Sequence, residues 1–467
     1  MVSGMRKSLL PCRLFASLFA AIAPLCLAAS PAAGQTGSVI FLHPDGASSA
    51  TWTAVRAMHY GPDGDLNWDL LPHVAVYRGH MIDSLTATSN GGATTHATGL
   101  KVSSDAFGMS GGEEDKPLVD TAGHDVSVAQ QALRAHIPVG LVQSGTAVEP
   151  GTAAFVAPAD SRKDYAEITA GLVESNAQVM FGGGEEWFLP VGTQGRFGPG
   201  KRKDGRNLID EAKAAGYTII YTRDELLSLP AETEKVIGIF AKAATFNDLS
   251  EEELAAANLP IYNTEAPTIA EMTDVALRIL GRSGRQFLLV VEEEGTDNLG
   301  NHNNAIGVLM AGKRADDAIG VARRFVQDRP DTLVITAADS DAGGMRMVGI
   351  PVDSSKDIAK QIPKHVDARD FNGAPMDGIA GSGTAPFVAA PDRSGRQLPF
   401  AIVWAAKDDV SGGILVRAEG LNAHLVRGSF DNTKIAEITR RTLFGTTTPP
   451  ASAPATPTPT TRPATPQ

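Results

Sequence analysis

Three apolar runs in this 467-residue chain lead into carboxylates: residues 38–43 to Asp45, 286–291 to Glu292, and 332–336 to Asp339. A single acid after a strand is an ordinary turn or helix-cap residue. Three of them, if the runs are neighbouring strands, gather negative charge at one place, and clustered carboxylates raise one another's pKa unless a cation holds them ionised. The pattern points to divalent metal ions on oxygen ligands. A fourth segment, running from Thr86 through Thr88, Ser89, Asn90, Gly91, Gly92, Thr94, Thr95, His96 and Thr98 to Gly99, crowds hydroxyls beside two glycines. If a helix starts there, its unpaired N–H groups and dipole favour an anion beside a Ser or Thr oxygen. By itself the segment reads more readily as a Ser/Thr-rich surface turn.

The elements that would position these groups alternate along the chain. Short apolar runs at 38–43, 138–142, 178–181, 217–221, 236–240, 286–291, 332–336 and 400–406 predict strands. Their apolarity is continuous rather than alternating, as in strands buried on both faces. Between them, helical patterns occupy 126–136, 165–175, 207–216, 268–280, 304–325 and 432–443. This alternation predicts an α/β fold with a mostly parallel central sheet and helices on both faces, and such sheets bind ligands outside the carboxyl ends of their strands. Gly- and Pro-rich stretches at 192–205 and 343–351 are expected to be long surface loops. There is no internal repeat and no GxGxxG dinucleotide fingerprint.

The N-terminus carries Arg6 and Lys7, an apolar run from Leu14 to Ala29, and small residues at Ala28, Ala29, Ala32 and Ala33. That is the layout of a secretory signal, expected over residues 1–35; Pro24 and the run's short length argue against a membrane anchor. Both cysteines, Cys12 and Cys26, lie inside it, so the exported protein has no thiol and needs no disulfide. The expected location is the periplasm or the medium. Residues 446–467 are nearly all Thr, Pro, Ala and Ser, too poor in apolar surface to fold, and are read as a disordered tail. Residues 36–445 remain, long enough for one large α/β domain or two smaller ones. The chain has 53 acidic and 41 basic residues, and loss of the signal removes bases only. So acidic a protein is not a general binder of nucleic acid or anionic membranes, and an anionic substrate must be drawn by local cations.

From Val39 to about Thr442 the chain resembles the alkaline phosphatase family. The resemblance lies in an ordered series: VIFLHPDG, TTHATGLK, TAAFVAPADSRKDYAEI, VMFGGGEEWF, RKDGRNLIDEAKAAGY, PTIAEMTDVALRIL, LLVVEEEGTDN, TLVITAADSDAGG and RGSFDNTKIA. It implies that Asp45 bridges a nucleophile-side metal and a third, magnesium-type site. Counted back from HATGLK, Ser89 falls at the nucleophile, with Thr88 as the second choice. Arg162 matches the arginine that grips two phosphate oxygens, for which its planar fork is suited. Glu149 and Thr152 fall near an Asp-x-Thr pair at the magnesium site. Glu292 keeps a five-residue spacing to Asp297 and so resembles the magnesium-site glutamate, with Asp297 a ligand of the water-activating metal.

The departures concern imidazoles. The histidine expected four residues after Asp297 is Asn301, with His302 one later and off that helix face. An expected Asp-His pair is Asp339-Ser340, the last zinc histidine falls near Asp409, and the aspartate before the nucleophile is Thr88. His43 and His96 lie beside the site as possible substitutes. By resemblance the cofactors are Mg²⁺ and Zn²⁺; the oxygen-rich ligands shift the expectation toward Mg²⁺, Ca²⁺ or Mn²⁺. The implied activity is hydrolysis of a small phosphate ester through a phosphoserine, in a protein that can be a homodimer. Two alternatives stay open: a phosphodiesterase of the same superfamily, and an inactive protein that binds phosphate or divalent ions. A sulfatase maturation motif of the C-x-P-x-R kind is absent around Ser89.

Overall fold

The computed structural model describes residues 35–447, so the expected signal segment and Pro/Thr-rich tail lie almost wholly outside the described residues. Eight strands in chain order are β1 (Ser38–Pro44), β2 (His73–Arg78), β3 (Val139–Thr146), β4 (Val179–Gly183), β5 (Thr218–Ile220), β6 (Val236–Ile239), β7 (Leu288–Glu293) and β8 (Thr332–Thr336). With Leu415–Gly420 and Gly428–Asp431 they form a ten-stranded sheet. Its order is Gly428–Asp431, β2, Leu415–Gly420, β8, β1, β7, β3, β4, β6, β5. Leu415–Gly420 runs antiparallel to both neighbours, and every other adjacent pair is parallel. The sheet is therefore mostly parallel, as the sequence predicts.

Alternation along the buried strands sorts their side chains between two hydrophobic layers. Val39, Phe41, Val290 and Ile335 pack on one face with Ala93, Ala97, Phe155 and Ile435. Ile40, Leu42, Leu289 and Val334 pack on the other with Trp52, Val55, Met272 and Ile319. Helices cover both faces, which is why these strands carry no polar alternation. The helix Ile269–Gly281 illustrates the local coding: Thr268 and Glu271 form a capping box, and Ile269, Met272, Thr273, Ala276, Leu277 and Leu280 make one buried stripe.

The run at 400–406 forms a strand, Pro399–Val403, outside the large sheet. It is the centre of a small antiparallel sheet with Arg346–Gly349, Met376–Gly378 and Phe387–Val388. The stretch 343–351, expected as a loop, supplies one of those strands after Gly343 and Gly344 turn the chain with φ of 62° and 59°. The strand neighbouring β8 in the large sheet is instead Leu415–Gly420, four of whose six residues are not buried, so it lacked a continuous apolar run.

Candidate active site

Because β8, β1, β7 and β3 are consecutive in the sheet, their carboxyl ends place the predicted acids side by side. In register, His43 of β1 and Gln143 of β3 both flank Glu292 of β7. Gln143 donates its side-chain amide to Glu292 Oε2. His43 and Asp45 are two residues apart and share a face. His43 Nε2 lies 3.4 Å from Asp45 Oδ1, and His43 Nδ1 lies 3.3 Å from Glu292 Oε1, all fully buried. Gly46 N donates to Asp45 Oδ1 at 2.9 Å.

The same alternation separates Glu292 from Glu293, while Glu294 lies just past the end of β7 as the N-cap of the helix Gly295–Asn301. Glu293 Oε1 accepts from Ser144 Oγ at 2.8 Å and from Tyr262 Oη at 3.0 Å, in a separate polar cluster. Glu294, which sequence reasoning passed over, joins Asp45 and Asp297 in a buried group, with one carboxylate oxygen from each lying within 4.8 Å of the others. The signal for it was present: Glu294 follows Glu292 by two residues, just past the end of β7, where the other acids gather.

The hydroxyl-rich segment does begin a helix, α1 (Ser89–Thr98), every residue of which is buried. Thr88 caps it: its hydroxyl accepts from Gly91 N at 3.3 Å and donates to the Ser104 carbonyl. Ser89, the first helical residue, puts its hydroxyl beside the Asp45 carboxylate. Gly92 is required because a Cβ there would sit 2.5 Å from Asp339 Cβ. The helix can approach Asp339 only without that carbon, so the glycines that looked like turn residues are close-packing residues.

Arg162 donates from Nη2 to Glu149 Oε2 at 3.1 Å and is part-exposed above the acids. Thr152 is buried on the short helix Pro150–Ala153 and lines a small cavity with Leu172 and Met180. Asp297 lies in the helix Gly295–Asn301. The short strand Asp409–Val410, paired with Asp341–Ala342, brings Asp409 to that helix, where Asn301 Nδ2 donates to Asp297 Oδ1 and to Asp409 Oδ1, each at 3.2 Å. His302 is exposed at the C-cap of that helix, outside the carboxylate cluster. Ser340 is buried with an unpartnered hydroxyl. His96 Nε2 is engaged by Tyr77 Oη at 2.6 Å.

Burial is the main reason that Asp45 and Glu149 have pKa values pushed up to about 7, with Glu292 adding to each; Arg162 works against the rise at Glu149. Burial, then neighbouring carboxylates, pushes Asp297, Asp339 and Glu294 well above the ordinary range. At His43 burial opposes the charged ring, but Glu292 and Asp339 more than offset it and raise the pKa. Asp45 Oδ2, Glu292 Oε1, Glu294 Oε2 and both oxygens of Asp339 are buried without a hydrogen-bond partner. Buried acceptors of this kind are costly unless a cation completes them, so the donor set fits divalent metals.

A family model for alkaline phosphatase matches residues 37–443. The chain is 26% identical to the alkaline phosphatase of Escherichia coli K12 over 341 residues, covering 65% of this chain and 69% of that protein. In fold it is similar to the alkaline phosphatase of the Antarctic bacterium TAB5 (TM-score 0.65, 20% identity, 88% of this chain and 98% of that one). It is also similar to that of Thermus thermophilus (TM-score 0.67, 19% identity, 88% and 92%). With the ordered motifs, the sheet and the clustered acids in agreement with a match over most of its length, the chain belongs to the alkaline phosphatase family.

Proposed function

We propose that the protein hydrolyses phosphate monoesters, with Ser89 as nucleophile. The observation that carries this reading is the position of Ser89: it opens the buried helix α1 beside Asp45, while the neighbouring Thr88 hydroxyl is engaged in capping. Divalent ions held by Asp45, Asp339, Asp297, Asp409, Glu292, Glu294 and the Glu149 region would acidify the serine hydroxyl and a water and balance charge on the phosphoryl group. Ser89 Oγ attacks phosphorus and gives its proton to solvent, the bond to the ester oxygen breaks, and that oxygen takes a proton from solvent and leaves as an alcohol. Water then cleaves the phosphoserine and returns the proton to Ser89. Ser89 opens α1, and a helix N-terminus favours an anion at that place. Arg162, steadied by Glu149 at one nitrogen, offers the rest of its fork to two phosphate oxygens.

A cleft of about 580 Å³, lined by Thr146, Glu149, Phe197, Asn247, Asp248 and Asn298, lies beside Glu149 and gives an ester substituent room. Export to the periplasm or the medium and assembly as a homodimer complete the reading by resemblance. Among the described residues, no helix is long and apolar enough to cross a membrane.

Turnover of p-nitrophenyl phosphate against bis(p-nitrophenyl) phosphate, with Mg²⁺, Mn²⁺, Ca²⁺ and Zn²⁺ in turn, tests it. The monoester is expected to be the better substrate. Preference for the bis ester would make the protein a diesterase, and no turnover alongside tight phosphate binding would make it a binding protein.

A further inference from the structure

We infer that His43 supplies, through Nε2, the imidazole ligand of the nucleophile-side metal, taking over from the position now held by Ser340. This rests on reading the Asp45 and Asp339 carboxylates as a metal site. By resemblance the histidine of that site follows the second aspartate, where this chain has Ser340. The structure offers a ring from another strand. His43 is two residues before Asp45 on β1, and its Nε2 lies 3.4 Å from Asp45 Oδ1 and 4.0 Å from Asp339 Oδ1. For bonds of about 2.0–2.2 Å, ligand atoms on a tetrahedral ion stand about 3.4 Å apart, so the Asp45 separation already suits a shared ion and the Asp339 oxygen needs only a small shift.

The ring has no other employment for that nitrogen. His43 is fully buried, and neither of its nitrogens completes a hydrogen bond, nor do Asp45 Oδ2 and both oxygens of Asp339. Five unpartnered donor and acceptor atoms in one buried place describe a ligand set more closely than a packed core. The opposite side of the ring is also arranged for ligation. Nδ1 faces Glu292 Oε1 at 3.3 Å, and the other oxygen of Glu292 is held by Gln143. A carboxylate facing the remote nitrogen is the usual device for fixing the tautomer and orientation of a ligating histidine. Phe41, stacked on the ring at 5.8 Å between centroids, and His96, edge-on at 5.3 Å, hold its plane. His96 already has its Nε2 engaged by Tyr77.

Mn²⁺ added to the chelator-stripped full-length protein, followed by pulsed electron paramagnetic resonance, reads nitrogen ligation without any reference to turnover. Wild-type protein is expected to show nitrogen modulation that changes when histidine is labelled with ¹⁵N. His43→Gln should lose the modulation, whereas His96→Gln should keep it. Wild type with no histidine-dependent modulation would overturn the assignment, even if His43→Gln failed to fold. Modulation lost in His96→Gln but kept in His43→Gln would overturn it as well. In the same preparation p-nitrophenyl phosphate turnover is scored separately. Modulation lost with His43 in a protein that turns nothing over would leave the ligand assignment standing and remove the phosphatase reading.

Discussion

Asn301 donates its side-chain amide to Asp297 at 3.2 Å across one turn of helix. The amide oxygen accepts from Gly343 N at 3.1 Å, which fixes which way the group points, and the same nitrogen reaches Asp409. Asn301 thus stands where the resemblance expects an imidazole, while His302 is exposed. His302→Ala is expected to change stability by less than about 0.5 kcal/mol, as surface substitutions do, and to leave bound metal unchanged. Asn301→His should raise zinc affinity, because residue 301 shares a helix face with Asp297. Isothermal titration of stripped protein with Zn²⁺ checks both; a loss of metal in His302→Ala would mean that the helix end is arranged differently.

Ser89→Ala should lower phosphomonoester turnover by several orders of magnitude with little change in melting temperature. Thr88→Ala should do the reverse, costing about 1 kcal/mol of stability as its cap is lost. Steady-state kinetics and thermal denaturation on the two variants separate the roles. Near-normal turnover in Ser89→Ala together with its loss in Thr88→Ala would exchange them.

Arg162→Lys replaces a planar fork with a point charge. Catalysis and inhibition by inorganic phosphate should weaken together by about 2–3 kcal/mol, the scale of a charged hydrogen bond left unmade. Unchanged phosphate inhibition in the lysine variant would remove Arg162 from the phosphate site.

With Ser340 and Asp409 at the places of two histidines, stripped protein should regain activity with Mg²⁺, Ca²⁺ or Mn²⁺. The double change Ser340→His and Asp409→His should move the preference toward Zn²⁺. Elemental analysis is the check: two tightly held zinc ions in each wild-type chain, with zinc alone restoring the stripped protein, is the result that defeats this expectation.

Away from the site, Glu251 opens the helix Glu251–Ala257, buried, with Oε1 accepting from Ile306 N at 3.2 Å and Oε2 unpartnered. Burial, helped by Asp377, pushes its pKa up to about 7. A pKa raised by folding favours the native state fully below the ordinary carboxylate value and loses that contribution as pH rises through about 7. Glu251→Gln should therefore be nearly neutral at pH 4 and stabilising by about 1–3 kcal/mol at pH 8. Urea denaturation at both pH values tests the difference. Equal effects at the two pH values would show that Glu251 does not titrate there.

The sequence alone determined the layers and the kind of chemistry. Runs such as 38–43 and 332–336 are apolar without alternation, which only a strand covered on both faces can use, and their ends on Asp45 and Asp339 mark where such a sheet binds ions. What depended on contacts between distant segments was not legible. The run at 400–406 reads as a buried strand in either sheet, and only its partners, Arg346–Gly349 and Met376–Gly378, place it in the small one. Gly92 reads as a turn residue until Asp339 is seen where its Cβ would be. Glu292, Glu293 and Glu294 are chemically alike, but the pleat of β7 separates Glu292 from Glu293, which meets Ser144 and Tyr262, and the turn from β7 into the helix Gly295–Asn301 brings Glu294 to Asp45 and Asp297. His43 and Ser340 are separated by almost three hundred residues, and the adjacency of β1 and β8 decides which of them faces the aspartates. Local pattern reports what a segment would bury; which carboxylate, amide or ring meets which is set by strand order and register, and these are properties of the whole chain.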